Sequence, residues 1–159
     1  LRFAGSQARH RSPQRSRRCA TPSGTRPAAL AYYLDTSAAV KLVVEESGSK
    51  ALRRWMANAS TPIVSSDLLR TELLRATRRG APDQMQQARA VLDSLVLLTL
   101  STSLFDQAGT LEPDLLRSLD ALHLTAALDL GDDLDGVITY DDRLASAAVA
   151  LGIVVIAPT

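Results

Sequence analysis

Short apolar runs alternate along this chain with longer stretches in which apolar residues recur every three or four positions. The short runs predict five β-strands, at residues 30–34, 62–65, 96–100, 136–140 and 153–156. The longer stretches predict helices at about 36–42, 49–59, 67–79, 83–95, 102–111, 118–130 and 143–151. Alternating strands and helices favour a parallel sheet that is covered by helices on both faces. We therefore expect an α/β protein with a five-stranded, mostly parallel sheet between two helical layers.

The same pattern predicts which side chains are buried. We expect the apolar runs at 30–34, 96–100 and 136–140 to be buried strands. In the helix at 118–130, the side chains expected to face inward are Leu119, Leu122, Ala126, Ala127 and Leu130. His123 lies in the same helix, and a histidine in such a position is more often a packed, hydrogen-bonded residue than a ligand.

Acidic residues stand at two points where a predicted strand gives way to a helix. Asp35 follows the first strand, with Thr36 and Ser37 available as helix caps, and Asp141 and Asp142 follow the fourth strand. In a parallel sheet the carboxyl ends of the strands lie at one edge, and ligands bind at that edge. Asp35 could equally be a simple helix cap. A role for Asp35 in ligand binding therefore depends on whether other acids reach the same edge.

Two predicted helices carry acids that could do so. Glu72 lies at the border of the apolar stripe in the helix at 67–79, and Asp120 lies in the first turn of the helix at 118–130. Each also has a structural explanation. Glu72 could pair with Arg75 or Arg79 on its own helix. Asp120 could simply complement the helix dipole.

Four carboxylates at one edge would need a counter-charge. Two like charges about 4 Å apart repel by about 4 kcal/mol at an effective dielectric constant of 20. Such a cluster must take up protons or bind a cation, and ligand oxygens alone select a hard cation such as Mg²⁺ or Mn²⁺. A cation of this kind can activate water for the hydrolysis of a phosphodiester bond. The candidate catalytic residues are therefore Asp35, Glu72, Asp120 and Asp141.

Composition limits the class of protein and its surroundings. The 159 residues fit one domain, and 46% hydrophobic with 22% charged residues is ordinary for a globular protein. The single cysteine, Cys19, excludes an internal disulfide and a thiolate metal site. It favours a reducing compartment, and the arginine-rich, lysine-poor composition points to a bacterium, so we expect a bacterial cytoplasmic protein. No apolar run reaches 18 residues, so we expect no membrane partner.

Charge is distributed unevenly along the chain. Residues 1–31 contain seven arginines and no acid, which leaves eleven basic and 17 acidic residues in 32–159. An acidic body argues against binding nucleic acid by bulk charge. We expect a folded domain at 30–159 and a disordered basic leader at 1–29. The leader could be an inert product of an upstream start site, an RNA-binding arm or a targeting segment.

Several enzyme classes lack their motifs here. The sequence has neither G-x-x-x-x-G-K-[ST] nor G-x-G-x-x-G, so no nucleotide-binding loop is predicted. A haloacid-type phosphatase would have a second aspartate two residues after Asp35, and that position is Ser37.

Four segments carry a resemblance to a known family. LDTSAAVKL, SSDLLRTELLRA with Glu72, SLDALHLTAA and ITYDDRLASAAVALGI resemble, in order and spacing, the motifs of PIN-domain ribonucleases. The resemblance extends over residues 30–158 and is to the VapC-type toxins of bacterial toxin–antitoxin pairs. It implies a three-layer α/β/α sandwich and a Mg²⁺- or Mn²⁺-dependent endoribonuclease that acts on RNA. It also implies a homodimer that is inhibited by a cognate antitoxin.

The resemblance further implies roles for the acids. Asp35 and Asp120 correspond to direct metal ligands, and Glu72 and Asp141 complete the pocket, partly through water. Asp142 is the alternative to Asp141, which we favour because it directly follows the predicted strand. Two other functions stay open: a PIN-like binding module without catalysis, and a DNA nuclease or other metal-dependent phosphoesterase. All four acidic positions are filled, which argues against the first.

Overall fold

A five-stranded parallel sheet lies at the centre of the part of the chain that the structure describes. This computed structural model describes residues 30–114 and 116–159, so the predicted leader at 1–29 lies outside the described residues. The strands are β1 (Ala31–Leu34), β2 (Ile63–Ser66), β3 (Val96–Leu98), β4 (Leu134–Ile138) and β5 (Val155–Ile156). Every pairing is parallel, in the order β3-β2-β1-β4-β5. The predicted sheet is confirmed.

Helices cover both faces of this sheet. They are α1 (Thr36–Val43), α2 (Ser49–Asn58), α3 (Asp67–Gly80), α4 (Met85–Asp93), α5 (Thr102–Ala108), α6 (Ser118–Leu128) and α7 (Asp142–Ala150). Successive side chains of a strand point to opposite faces. Leu34 therefore packs in one core with residues of α1 to α4, and Tyr33 packs in a second core with residues of α6 and α7. The three-layer α/β/α architecture is confirmed.

The strand order explains where a site can form. The chain moves outward from β1 to β2 and β3, and then returns across β1 to β4 and β5. Because crossovers between parallel strands are right-handed, this reversal puts the later helices on the opposite face. The carboxyl ends of β1 and β4 therefore flank a crevice at the point of reversal, where open α/β sheets bind ligands.

Three apolar side chains that were predicted to be buried are exposed. Leu30, at the start of the first predicted run, is 36% exposed. Val96 is 58% exposed because β3 is an edge strand, whereas a buried strand was predicted. Leu119 is 46% exposed, whereas residues 121–127 of α6 are all buried. The sheet, α5 and α7 enclose this helix on several sides, so its burial follows its neighbours and not a single apolar stripe.

Strand β4 also begins and ends two residues earlier than predicted. Its pairing with β1 runs from Leu134 to Ile138, so Thr139 and Tyr140 lie between the strand and Asp141. Within the described residues, no helix is long and apolar enough to cross a membrane.

Candidate active site

Asp35 lies at the junction of β1 and α1, with 5% of its surface exposed. Its Oδ2 accepts hydrogen bonds from the Ser37 amide at 3.1 Å and the Ser37 hydroxyl at 2.6 Å. It also accepts one from the Thr139 hydroxyl at 2.9 Å. Its Oδ1 lies 3.7 Å from His123 Nε2. Asp35 is therefore the N-cap of α1, which was the simple alternative considered from the sequence. Its other oxygen, Oδ1, remains available at the edge of the sheet.

Two hydroxyls tie Asp35 to the loop after β4. Ser37 Oγ accepts a hydrogen bond from the Tyr140 amide at 2.8 Å, and Thr139 Oγ1 accepts one from the Asp141 amide at 3.1 Å. Each hydroxyl donates its single proton to Asp35, so neither has a proton left to donate elsewhere. Of Thr36 and Ser37, the two residues that the sequence offered as caps, Ser37 is the one whose hydroxyl binds Asp35. Thr139 was missed, although it lies within the predicted strand, two residues before Asp141.

Glu72 reaches the same edge from α3. Its Oε2 accepts hydrogen bonds from the Thr36 hydroxyl at 2.5 Å and from His123 Nε2 at 2.7 Å. Burial opposes the ionisation of Glu72, but the hydrogen bonds from His123 and Thr36 outweigh it and hold the pKa below its ordinary value. Among the described residues, Glu72 pairs with His123 through this hydrogen bond, and neither Arg75 nor Arg79 pairs with it.

His123 lies at the centre of this network, whereas the sequence suggested a packed, hydrogen-bonded residue and gave no sign of its contact with Glu72. It is 2% exposed, and its Nδ1 lies 2.9 Å from the Tyr33 hydroxyl, which donates to Ser66 Oγ. Its Nε2 must carry a proton, because the Glu72 carboxylate can only accept. Burial raises the pKa of Tyr33 above its ordinary value, so its hydroxyl keeps its proton. The signal that could have identified His123 is its position one turn after Asp120 on α6.

Asp120 enters the site from the first turn of α6. Its Oδ2 is buried and has no hydrogen-bond partner among the described residues. Burial raises the pKa of Asp120, and the charges of Asp141 and Asp35 raise it further, against Arg143 and Arg117. Three acids from separate elements therefore act on one another electrostatically at this edge.

Asp141 is the N-cap of α7. Its Oδ1 accepts hydrogen bonds from the amides of Arg143 at 2.8 Å and Leu144 at 3.1 Å. Asp142, by contrast, is an exposed residue in the first turn of the helix. The charge of Asp141 acts on Asp120. This geometry supports the choice of Asp141 over Asp142.

The donor set suits a hard cation. In residues 30–114 and 116–159, no three histidine, cysteine or acidic side chains are grouped closely enough to form a complete metal site by themselves. Mg²⁺ does not need such a group, since it is usually held by one or two carboxylates and several waters. The unpartnered Oδ2 of Asp120 and the available Oδ1 of Asp35 are oxygens of the required kind. Glu72 is already bound by two donors, so it fits an outer position.

The family model described as "PIN domain" matches residues 32–150. The chain belongs to the PIN-domain family. The resemblance predicted from the four sequence segments is therefore confirmed.

This PIN domain is similar to ribonucleases of Mycobacterium tuberculosis. It is 46% identical to Ribonuclease VapC46 over 129 residues, which cover 81% of this chain and 98% of that protein. It is 40% identical to Ribonuclease VapC47 over 130 residues, which cover 79% of this chain and 96% of that protein. These relatives confirm the predicted resemblance to VapC-type proteins. They also confirm the predicted class, which is a toxin endoribonuclease.

A solved structure shows the same fold. The crystal structure of M. tuberculosis VapC20, described as a sarcin-ricin loop cleaving toxin, superposes with a TM-score of 0.65. The match covers 80% of this PIN domain and 99% of VapC20 at 17% sequence identity. At that identity the likeness supports the fold and not the substrate.

Proposed function

We propose that this PIN domain is a toxin endoribonuclease that hydrolyses RNA phosphodiester bonds with a bound Mg²⁺ or Mn²⁺ ion. The observation that carries the proposal is the buried, unpartnered Oδ2 of Asp120, which lies in the field of Asp35 and Asp141. Such an oxygen, among like charges, is suited to a cation. The 46% sequence identity to VapC46, which is named a ribonuclease, supports RNA as the substrate.

The proposed roles follow the hydrogen bonds. Asp35 and Asp120 would hold the ion directly, and Asp141 and Glu72 would complete the pocket, partly through water. When bound, the ion would supply positive charge that activates water and stabilises the leaving oxygen. Ser37 and Thr139 hold Oδ2 of Asp35 and so fix the direction in which its Oδ1 points.

The other residues hold a second carboxylate in place. His123 and Thr36 bind one oxygen of Glu72 and keep it ionised. The second oxygen, Oε1, is then oriented to accept a hydrogen bond from water. This is a positioning role for His123, because a residue that is 2% exposed does not reach a substrate itself.

We further propose three properties of the intact protein. It would act as a homodimer, would be inhibited by a cognate antitoxin, and would work in the bacterial cytoplasm. The family membership and the description of VapC20 as a toxin support these proposals. Sedimentation of the purified protein, alone and with the antitoxin, tests the first two.

Cleavage of RNA by the purified protein tests the proposed activity. Labelled RNA and DNA are incubated with Mg²⁺, with Mn²⁺ or with EDTA, and the Asp35→Asn variant is the control. We expect cleavage of RNA that needs metal and is lost in the variant. Cleavage of DNA alone would favour the alternative of a DNA nuclease. Absence of cleavage by a folded protein that is free of antitoxin would favour a binding module.

A further inference from the structure

Helix α3 carries four arginines that are exposed to solvent: Arg70, Arg75, Arg78 and Arg79. None of them forms a salt bridge with another described residue, whereas Arg53 pairs with Glu45. Arg54, Arg89 and Arg117 also form no salt bridge with a described residue, so what distinguishes α3 among the described helices is that it carries four exposed arginines. The same helix carries Glu72 into the candidate active site.

Two of these arginines lie on the same side of α3 as Glu72. With 3.6 residues per turn, Arg79 is turned from Glu72 by roughly 20° and Arg75 by roughly 60° around the helix axis. They lie roughly 10 Å and roughly 4.5 Å further along that axis. Arg70 is turned by roughly 160° and so faces away. Arg75 and Arg79 therefore form a row that leads away from the acidic site.

A cavity of about 450 Å³ adjoins this row. It is lined by Leu74, Arg75, Arg78, Arg79 and Met85, so apolar side chains lie beside three guanidinium groups. Guanidinium groups bind phosphate through paired hydrogen bonds and stack on flat rings. In a nucleotide bound here, the phosphate would suit the guanidinium groups and the base would suit the apolar side chains.

The acidic site itself needs such a surface nearby. Asp35, Asp120 and Asp141 repel a polyanion, so the energy that holds a nucleic acid strand must come from positive groups outside the cluster. Among the described arginines, Arg143 lies 3.9 Å from the Asp141 carboxylate, which offsets its charge. No described carboxylate forms a salt bridge with Arg75 or Arg79, although Glu72 lies one turn before Arg75 on the same helix.

We propose that Arg75 and Arg79, with Arg78, bind the phosphate backbone of the RNA strand on one side of the cleavage position. This inference rests on the proposed endoribonuclease function. The RNA strand would then lie along the face of α3 that runs from Glu72 toward the carboxyl end of the helix.

The test measures the binding of RNA separately from its cleavage. Fluorescence anisotropy follows a labelled single-stranded uridylate 20-mer that binds the Asp35→Asn protein at a series of KCl concentrations. In this background, the Arg75→Ala/Arg79→Ala double variant is compared with an Arg70→Ala/Arg89→Ala double variant. Arg89 is an exposed residue of α4, so both variants lose two exposed arginines. Circular dichroism confirms that each protein is folded.

The expected result is a change in salt dependence in one variant only. Each phosphate contact on a single strand contributes about 0.7 to the slope of log K against log salt concentration. The loss of Arg75 and Arg79 should therefore weaken binding and make the slope shallower by about 1.4, with no such change in the control. Equal slopes in the two double variants would overturn the proposal. So would absence of RNA binding by the Asp35→Asn protein at the lowest salt concentration.

A second arm separates this proposal from the proposed activity. With Asp35 intact, the Arg75→Ala/Arg79→Ala protein should still cleave RNA in a metal-dependent way, with a raised KM and a nearly unchanged kcat. A protein that binds RNA through this row but never cleaves it would contradict the proposed function alone. Weakened binding of an antitoxin, with RNA binding unchanged, would make the row a protein-docking surface and overturn the RNA proposal.

Discussion

At the scale of single residues, the two oxygens of the Asp35 carboxylate face different parts of the molecule. Oδ2 accepts hydrogen bonds from Ser37 and Thr139, and Oδ1 faces His123 across 3.7 Å. Folding and chemistry thus use the same side chain. A substitution at Asp35 must keep the acceptor if the chemistry is to be tested alone.

We expect Asp35→Asn to abolish RNA cleavage with a small change in stability. Its amide oxygen can still accept the hydrogen bonds of Ser37 and Thr139, whereas the negative charge is lost. Asp35→Ala removes the helix cap as well and should lower the free energy of unfolding by about 1–2 kcal/mol. Cleavage assays and urea denaturation measure the two effects. A fully active Asp35→Asn protein would contradict the proposed mechanism.

Asp120→Asn should stabilise the protein in EDTA at neutral pH. The pKa of Asp120 is raised from the ordinary value of 3.8 by burial and by the charges of Asp141 and Asp35. The unfolded chain therefore ionises at lower pH than the folded protein, and the wild type loses stability as the pH rises above 3.8. The neutral asparagine does not ionise and so causes no such loss. The difference in stability between the two proteins should therefore disappear in acid.

Thermal unfolding with and without Mn²⁺ checks this expectation. The ion should raise the melting temperature of the wild type and have little effect on Asp120→Asn, because a ligand that binds only the folded state stabilises it. If the variant is the less stable protein in EDTA at pH 7, the repulsion inferred among the three acids is wrong.

His123→Asn should lower kcat by about 10–100-fold, as is typical when an outer partner of a metal site is lost. The KM for RNA should change little, since His123 acts through Glu72 and is buried. Tyr33→Phe leaves the contact between Nε2 and Glu72 in place, so its effect should be smaller. Steady-state kinetics measure the split between kcat and KM. Equal losses in kcat and in stability for both variants would indicate a merely structural role.

At the scale of secondary-structure elements, β4 and β5 approach too closely for a side chain at Gly136. A Cβ there would lie 2.8 Å from the Val154 carbonyl oxygen. Gly136→Ala should therefore lower the free energy of unfolding by about 1–3 kcal/mol, as overpacking does. Gly80, in the last turn of α3, has no neighbour within 4 Å of such a Cβ, so Gly80→Ala should be neutral or slightly stabilising. Urea denaturation compares the two, and an equal effect would contradict the role of the close approach.

The positions of the strands and helices could largely be predicted from the sequence, whereas the burial of some of their side chains could not. The apolar pattern located each strand and α-helix in the described residues to within a few positions, because short continuous apolar runs differ in length and spacing from longer stretches of period 3.6. It misjudged Val96 and Leu119, whose exposure depends on which strand is at the edge and which helices are neighbours. Those facts follow from the order of strands, which local spacing does not contain.

At the scale of the whole molecule, the sheet and both cores run from β1, which begins at Ala31, to β5, which ends at Ile156. We propose that residues 30–159 are the nuclease domain. A protein that lacks residues 1–29 should then keep its melting temperature and its metal-dependent cleavage of RNA. Thermal unfolding and the cleavage assay test this on the full and shortened chains. A shortened chain that fails to fold would show that the domain boundary is wrong.

The sequence by itself determined the class of fold and the four candidate acids. Asp35 and Asp141 stand where strands end, and a parallel sheet brings such ends to one edge whatever the side chains around them. Only the tertiary structure decided the partners of these acids. His123 and Thr139 join the site through contacts across 51 and 104 residues of sequence, to Glu72 and to Asp35 respectively. Contacts between residues so far apart depend on how the layers pack, and a pattern that is read a few residues at a time cannot register them.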